Sequence, residues 1–92
     1  MYEIKHTDQM FYIEDDAGKR LAKITFFHEG ENTIVIDHTV VSDELKGQGI
    51  ALKLVNSVVE FARRKELKIR PECNYAKKVL TSDEHYSDVL VE

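Results

Sequence analysis

The stretch VVSDELKGQGIALKLVNSVVEFARRK, from Val40 to Lys65, joins an apolar strand-like segment to a long helical pattern. After SDE it reaches KGQGIA, where Gly47 and Gly49 stand at the change of pattern. From there the apolar residues recur at the spacing of one helix face, namely at Ala51, Leu54, Val55, Val58 and Ala62. The stretch therefore predicts a strand, a glycine turn and an amphipathic helix in direct succession.

The residues before this stretch have the pattern of short strands. YEIKH and MFYIED alternate, and the DDAGK segment that follows (Asp15 to Lys19) has the Asp/Gly signature of a hairpin turn. RLAKITFFHE continues as a third strand, and NTIVIDHTVV is the most β-branched segment of the chain. This order predicts an antiparallel meander of about four strands.

The residues after the helix complete the fold prediction. LKIRPEC reads as a short strand that ends at the only proline, Pro71, and NYAKKVL begins with a helical pattern. A strand, a crossover helix and a second strand form a parallel unit whose connection is nearly always right-handed. The predicted fold class is therefore α+β: an antiparallel meander, a crossover helix, a parallel fifth strand and a short C-terminal helix, in a single domain over residues 1–92.

Composition narrows the classes of function. The chain has 13 basic and 17 acidic residues, a net charge of -4, which argues against a general nucleic-acid binder. Cys73 is the only cysteine, so no internal disulfide is expected, and the histidines lack metal-ligand spacing. No apolar run approaches the roughly 20 residues that span a bilayer. We expect a soluble cytoplasmic protein with no metal and no membrane partner.

The glycine turn has a physical use at this position. The first N–H groups of a helix lack internal partners and lie at the positive end of its dipole, and glycine lets an anion approach them closely. The turn is not a Walker loop, since no GK[ST] occurs, and not a Rossmann GxGxxG, since Leu52 occupies the third glycine position. Two interpretations stay open: a phosphate-binding turn, or a plain connection whose glycines permit tight packing.

The surrounding residues resemble a known family. VVSDELKGQGIALKLV resembles the acetyl-CoA signature of the GNAT N-acetyltransferase superfamily, in which a strand is followed by a [QR]-x-x-G-x-[GA] loop and an apolar helix. Six residues match that loop in register: Lys46, Gly47, Gln48, Gly49, Ile50 and Ala51. Lys46 departs from the usual Gln or Arg but keeps the charge of the arginine. PECNYAKKVL and SDEHYSDVLVE resemble a small branch in which a cysteine follows the last strand.

This resemblance implies a donor, an acceptor and the residues that bind the donor. Acetyl-CoA would be the co-substrate, with its pyrophosphate on the amides of Lys46 to Ala51. The main chain of Thr39, Val40 and Val41 would bind the pantetheine arm and carbonyl, with Asn74 nearby. The acceptor would be a small amine or a protein amine, not identified by the sequence. The first helix pair of larger members is absent, and a homodimer is one way to complete the acceptor wall.

Cys73 is the first candidate for the chemistry. It follows Pro71 near the start of a helix, where the dipole favours a thiolate. It would accept the acetyl group or protonate the departing CoA thiolate. We expect Glu72 to raise the pKa of the thiol, which favours the acid role. The alternative is a buried small apolar residue, because free cysteine is among the most buried residue types.

His38 and Tyr75 are the other two candidates. Alternation predicts His38 on the strand face of Ile34, Ile36 and Val40, where it would take the proton of the amine. The alternative is a core histidine bonded to a carbonyl. The resemblance implies that Tyr75 contacts the leaving sulfur, whereas a plain structural role has it packing on the sheet.

Two other classes of function stay open beside the enzyme. The chain is short for an acetyltransferase, so a CoA-binding module or assembly subunit without turnover fits the same loop. An unrelated small α+β interaction domain, in which the glycines only shape a turn, is the third possibility.

Overall fold

The computed structural model of the protein describes residues 3–91. Its elements follow the predicted order: β1 Lys5–Thr7, β2 Met10–Glu14, β3 Arg20–Glu29, β4 Thr33–Val41, a 3-10 turn at Asp43–Leu45, α1 Ile50–Lys65, β5 Lys68–Pro71, α2 Asn74–Thr81 and a second 3-10 turn at Glu84–Tyr86. Tyr2, the start of the predicted first strand, lies outside the described residues. No helix within residues 3–91 is long and apolar enough to cross a membrane.

The sheet confirms the predicted α+β class. Its five strands lie in the order β1-β2-β3-β4-β5. The first four pair as antiparallel neighbours, and β5 pairs with β4 in parallel after the α1 crossover. Because a parallel pair needs a long connection, α1 both links these strands and covers them.

The core lies between the sheet and the helices. The predicted apolar stripe of α1 is confirmed, since Leu54, Val55, Val58 and Ala62 are all fully buried. We call the covered side of the sheet the helix face; it includes Phe11, Ile24, Phe26, Ile34, Ile36 and Ile69. We call the other side the outer face; it includes Tyr12, Lys23, Thr25, His38 and Val40, which are half-buried or exposed.

A β-bulge interrupts β4 in its middle. Thr25 pairs with His38, but the next residue, Phe26, pairs with Ile36. Asp37 is therefore an extra residue on β4, and the alternation of side chains changes phase there. As a result, the second half of β4 presents different residues to each face than strict alternation predicts.

The bulge corrects the prediction for His38. His38 was expected on the face of Ile34 and Ile36, which are fully buried on the helix face. Its side chain is instead 72% exposed on the outer face, together with Val40. Thr39 takes the helix face, paired with Ile24. The prediction was wrong because alternation in a sequence does not show where an extra residue enters a strand.

Candidate functional site

The site begins where β4 and β5 separate. Their parallel pairing ends at Ile36 opposite Pro71. The N–H groups of Glu72 and Cys73 both donate to the carbonyl of Ile36, at 2.8 and 3.0 Å, and β4 then continues alone to Val41. The edge of residues 39–41 that faces away from β3 consequently has no strand partner among the described residues. Such an edge offers N–H and C=O groups to an extended ligand.

The glycine turn lies at the far end of this free edge. Gly47 and Gly49 have φ angles of 83° and 71°, in the left-handed region that glycine adopts without strain. Gly49 is the residue before α1, and no side chain caps the helix. A β-carbon on either glycine would meet no atom within 4 Å, so the space beside the first amides of α1 is open. The turn therefore has the geometry of an anion site.

An open groove of about 250 Å³ joins the free edge to the glycine turn. Its walls come from the end of β4, the turn itself, the first turn of α1 and the start of α2; it is lined by Val41, Leu45, Lys46, Gly47, Gly49, Ile50, Ala51, Leu52 and Tyr75. Leu52 and Tyr75 are 42% and 38% exposed, although both are large apolar side chains. The groove thus presents apolar surface beside an anion-binding turn.

Cys73 lies at the point where the strands separate. It is half-buried, directly precedes α2, and its Sγ is 3.4 Å from Oγ1 of Thr39. Burial raises the pKa of this thiol. The hydrogen bonds of Thr39 and of the amides of Tyr75 and Ala76 outweigh burial and lower the pKa below its ordinary value. The site thus favours the thiolate form more than an isolated thiol does.

This lowered pKa corrects the expectation for Glu72. Its carboxylate was expected to raise the pKa of Cys73. The Glu72 carboxylate instead accepts a hydrogen bond from Nη1 of Arg70 at 2.8 Å, and it is not among the groups that shift the thiol. Adjacent residues along a strand point in different directions, so sequence proximity does not imply contact here.

His38 lies on the other side of β4 from Cys73, within a small polar cluster. Oγ1 of Thr25 donates to Oδ1 of Asp37 at 2.6 Å, and Oδ2 of Asp37 is 3.4 Å from Nδ1 of His38. Burial raises the pKa of the Asp37 carboxyl, but the hydrogen bond from Thr25 and the neighbouring His38 help bring it below its ordinary value. The sequence reasoning missed Thr25 and Asp37. The signal was Asp37 itself, the only acidic residue in NTIVIDHTVV.

The structure brings most of the predicted site residues together. The members of the predicted loop that line the groove are Lys46, Gly47, Gly49, Ile50 and Ala51, and Val41 and Tyr75 join them. Gln48 extends towards Glu44, whose carbonyl it bonds at 3.3 Å, and Lys46 forms an ion pair with Asp43 at 3.0 Å. Asn74 is exposed as the first residue of α2. Val40 and His38 lie apart from the groove, on the outer face.

Residues 10–89 match the sequence model of the GCN5-related N-acetyl-transferase family. The chain belongs to this family. The GNAT resemblance of the glycine turn is thereby confirmed, and it covers nearly the whole chain. Among solved structures, a protein from Staphylococcus aureus described as GCN5-like is 48% identical, with a TM-score of 0.81, and the match covers 97% of this chain and 87% of that one.

Two further relatives are more distant. Protein NATD1 of Xenopus tropicalis is 32% identical over 57 residues, which is 62% of this chain and 52% of that protein. The match thus spans about half the length of this curated relative. A GNAT family acetyltransferase from Elizabethkingia anophelis with acetyl-CoA bound is 18% identical, with a TM-score of 0.55, covering 65% of this chain and 39% of that one. At that identity the likeness shows the fold alone.

Proposed function

We propose that the protein is an acetyl-CoA-dependent N-acetyltransferase that transfers the acetyl group to an amine. The observation that carries the proposal is the single groove that connects the glycine turn to the free edge of β4. A donor with a pyrophosphate at one end and a peptide-like arm at the other needs both features. Membership of the GCN5-related family supports the same reaction.

The residues of the groove fit acetyl-CoA as a substrate. The amides of residues 47–51 would hold its pyrophosphate, because they lie at the positive end of α1 beside open space. The main chain of Thr39, Val40 and Val41 would pair with the amide groups of the pantetheine arm. Lys46 adds a positive charge beside the turn, and the exposed rings and chains of Leu52 and Tyr75 would cover the apolar part of the arm.

The chemistry requires a free amine and a protonated leaving group. The amine nitrogen forms a bond to the acetyl carbon, the carbon–sulfur bond breaks, and the amine loses a proton. We assign that proton to His38, which lies at the bulge on the outer face. A backbone N–H of the free β4 edge would stabilise the oxyanion that forms on the acetyl oxygen.

Cys73 is assigned to the other side of the fork. Its lowered pKa makes the thiol a stronger acid than an isolated cysteine, so it would donate its proton to the departing CoA sulfur and recover it from water. Tyr75, two residues later at the start of α2, would position the same sulfur from the groove wall. Acetylation of Cys73 itself is the competing pathway, and the mass of the protein distinguishes the two.

The first experiment measures donor binding. The backbone amides of residues 47–51 are followed by ¹⁵N NMR while acetyl-CoA is added. We expect saturable shifts at these amides at concentrations below millimolar. An absence of binding at millimolar acetyl-CoA would overturn the proposed function.

The second experiment measures transfer. CoA release is followed over a panel of amines with the wild-type protein, Cys73→Ser and His38→Gln, and His28→Gln serves as the matched control because His28 is exposed at the other end of β3. We expect His38→Gln to lower kcat/KM by roughly 10²-fold or more, the usual contribution of a general base. A gain of one acetyl group on Cys73 would replace the acid role by covalent catalysis. Tight binding without CoA release would favour a CoA-binding module.

A further inference from the structure

A second cavity, of about 290 Å³, lies on the outer face near the start of β3 and the end of β4. It is lined by Arg20, Leu21, Ala22, Lys23, Val40 and Ser42. Lys23 pairs with Val40 across the two strands, and Val40 is 51% exposed although it is a large apolar residue. The cavity is therefore separate from the groove of the glycine turn and lies on the same face as His38.

The cations of this cavity have no carboxylate partner. Within residues 3–91, no carboxylate oxygen comes within 4.0 Å of the charged nitrogens of Arg20 or Lys23. Glu14 pairs with Arg20 in the sheet register, but its carboxylate binds Nζ of Lys5 at 2.9 Å. Two positive charges thus share one concave surface without an internal counter-ion.

The acidic residues beyond Ser42 are also engaged elsewhere. Asp43 forms its ion pair with Lys46 at 3.0 Å, and Glu44 lies 3.7 Å from Lys19. The surrounding carboxylates therefore do not neutralise the cavity.

Ser42 provides an independent observation. Its Oγ is buried and, among the described residues, has no hydrogen-bond partner. An unpaired buried hydroxyl is costly, and such groups in native structures usually have a ligand or water as partner. Arg20 is held in place as well, since its Cζ lies 4.6 Å from the centre of the Tyr12 ring. A fixed guanidinium, an ammonium and a free hydroxyl are the donors that bind an anionic group.

The position of the cavity relates it to the proposed reaction. His38 and Val40 lie on one face of β4, two residues apart, which is about 7 Å along a strand. The carboxylate of Asp37 lies beside His38 and attracts a cationic amine. One face of the sheet therefore has a negative group at the proposed reaction centre and two cations about one side-chain repeat further along.

We propose that this cavity is the acceptor subsite and that the acceptor is an amine that carries an anionic group, such as a carboxylate, about 7 Å from its nitrogen. The nitrogen would lie at His38, and the anionic group would lie between Arg20, Lys23 and Ser42. This inference rests on the proposed function, because it places the acceptor relative to His38.

The test compares 6-aminohexanoate with hexylamine, two amines of equal chain length that differ in the carboxylate. Binding is followed by ¹⁵N shifts at Lys23, Val40 and Ser42 in the full chain, and transfer is followed by CoA release. With the wild-type protein we expect 6-aminohexanoate to shift these amides and to have a KM at least 10-fold lower than that of hexylamine.

A double variant and a matched control sharpen the comparison. Arg20→Gln with Lys23→Gln removes both cations, and Arg64→Gln with Lys65→Gln removes the same two residue types at the far end of α1. We expect the first pair of changes to abolish the preference for 6-aminohexanoate and to leave the KM of hexylamine unchanged. The second pair should preserve the preference.

The outcomes separate this inference from the proposed function. Equal binding of the two amines, or equal sensitivity to the loss of Arg20 and Lys23, overturns the subsite even if transfer occurs. Shifts at Lys23, Val40 and Ser42 by 6-aminohexanoate without transfer to any amine support an anion site and overturn the enzyme.

Discussion

The Sγ atom of Cys73 lies 3.4 Å from Oγ1 of Thr39, across the fork at which β4 and β5 separate. This contact depends on the bulge at Asp37, because strict alternation from Ile36 would turn Thr39 to the outer face. One extra residue in β4 therefore does two things. It brings a hydroxyl to the thiol on the helix face, and it exposes His38 on the opposite face.

The first prediction concerns this contact. Thr39→Val keeps the β-branched shape of the side chain and removes the hydroxyl that favours the thiolate. We expect the pKa of Cys73 to rise, because burial, which opposes the charged form, then acts against fewer hydrogen bonds. The pH dependence of alkylation of Cys73 measures this: its midpoint should move upward and the rate at neutral pH should fall.

Thr33→Val is the control, since Thr33 is at the opposite end of β4. It should leave the alkylation profile unchanged. If Thr39→Val and Thr33→Val behave alike, the hydroxyl does not influence the thiol.

The second prediction concerns the glycine turn. Gly49→Ala and Gly30→Ala both place a β-carbon at a positive φ, 71° and 72° respectively, and both positions have open space around them. Each should lower the free energy of unfolding by about 1 kcal/mol. Only Gly49→Ala should weaken acetyl-CoA binding, because its β-carbon occupies the space beside the first amides of α1. Chemical denaturation and a titration with acetyl-CoA measure the two effects.

Equal acetyl-CoA affinity in the Gly49→Ala variant and the wild type would mean that the turn is only a connection between β4 and α1. Gly30 lies in the turn between β3 and β4, away from the groove. Its variant therefore reports the effect of backbone strain alone.

The parts of the fold that follow from periodicity could be predicted from the sequence. The apolar spacing of α1 identified its buried residues, and the β-branched run of β4 identified the strand that forms the fork. Pro71 marked the end of β5 because it cannot continue the ladder. Each of these signals is local, and local patterns survive folding unless a tertiary contact overrides them.

The parts that depend on register or on distant contacts could not be predicted. The bulge at Asp37 is a relation between two strands, so the sequence of β4 alone does not reveal it. The ion-pair partner of Glu72 and the cavity between Arg20 and Ser42 likewise depend on which residues the topology brings together. These features decide the chemistry of the site more than the fold does.

The third prediction concerns the attachment of the C-terminal segment to α1. Tyr86 is 8% exposed, and its hydroxyl donates to Oδ1 of Asn56 at 2.8 Å. Tyr86→Phe keeps the ring and leaves the Asn56 oxygen without this donor, so the free energy of unfolding should fall by about 1 to 2 kcal/mol. Tyr75→Phe, at an exposed ring, should change it by less than about 0.5 kcal/mol. Similar losses in both variants would contradict a specific role for the Tyr86 bond.

The fourth prediction concerns the dependence of stability on pH. Arg63 binds Asp88 with two hydrogen bonds, Nε to Oδ2 at 2.9 Å and Nη2 to Oδ1 at 3.0 Å. These hydrogen bonds hold the pKa of Asp88 below its ordinary value of 3.8. Because the folded-state pKa is the lower one, the contribution to stability is fully present well above pH 4, and it disappears as the pH falls through the folded-state pKa.

Asp88→Asn tests this directly. The variant should unfold at a lower Tm than the wild type near pH 6, and the two Tm values should converge as the pH falls below 3, where the wild-type carboxyl is protonated. Asp16→Asn is the control, because Asp16 is exposed in the turn between β2 and β3 and forms no ion pair with the other described residues. Its Tm curve should run parallel to that of the wild type. A constant Tm difference between Asp88→Asn and the wild type across this range would show that Arg63 does not shift the titration of Asp88.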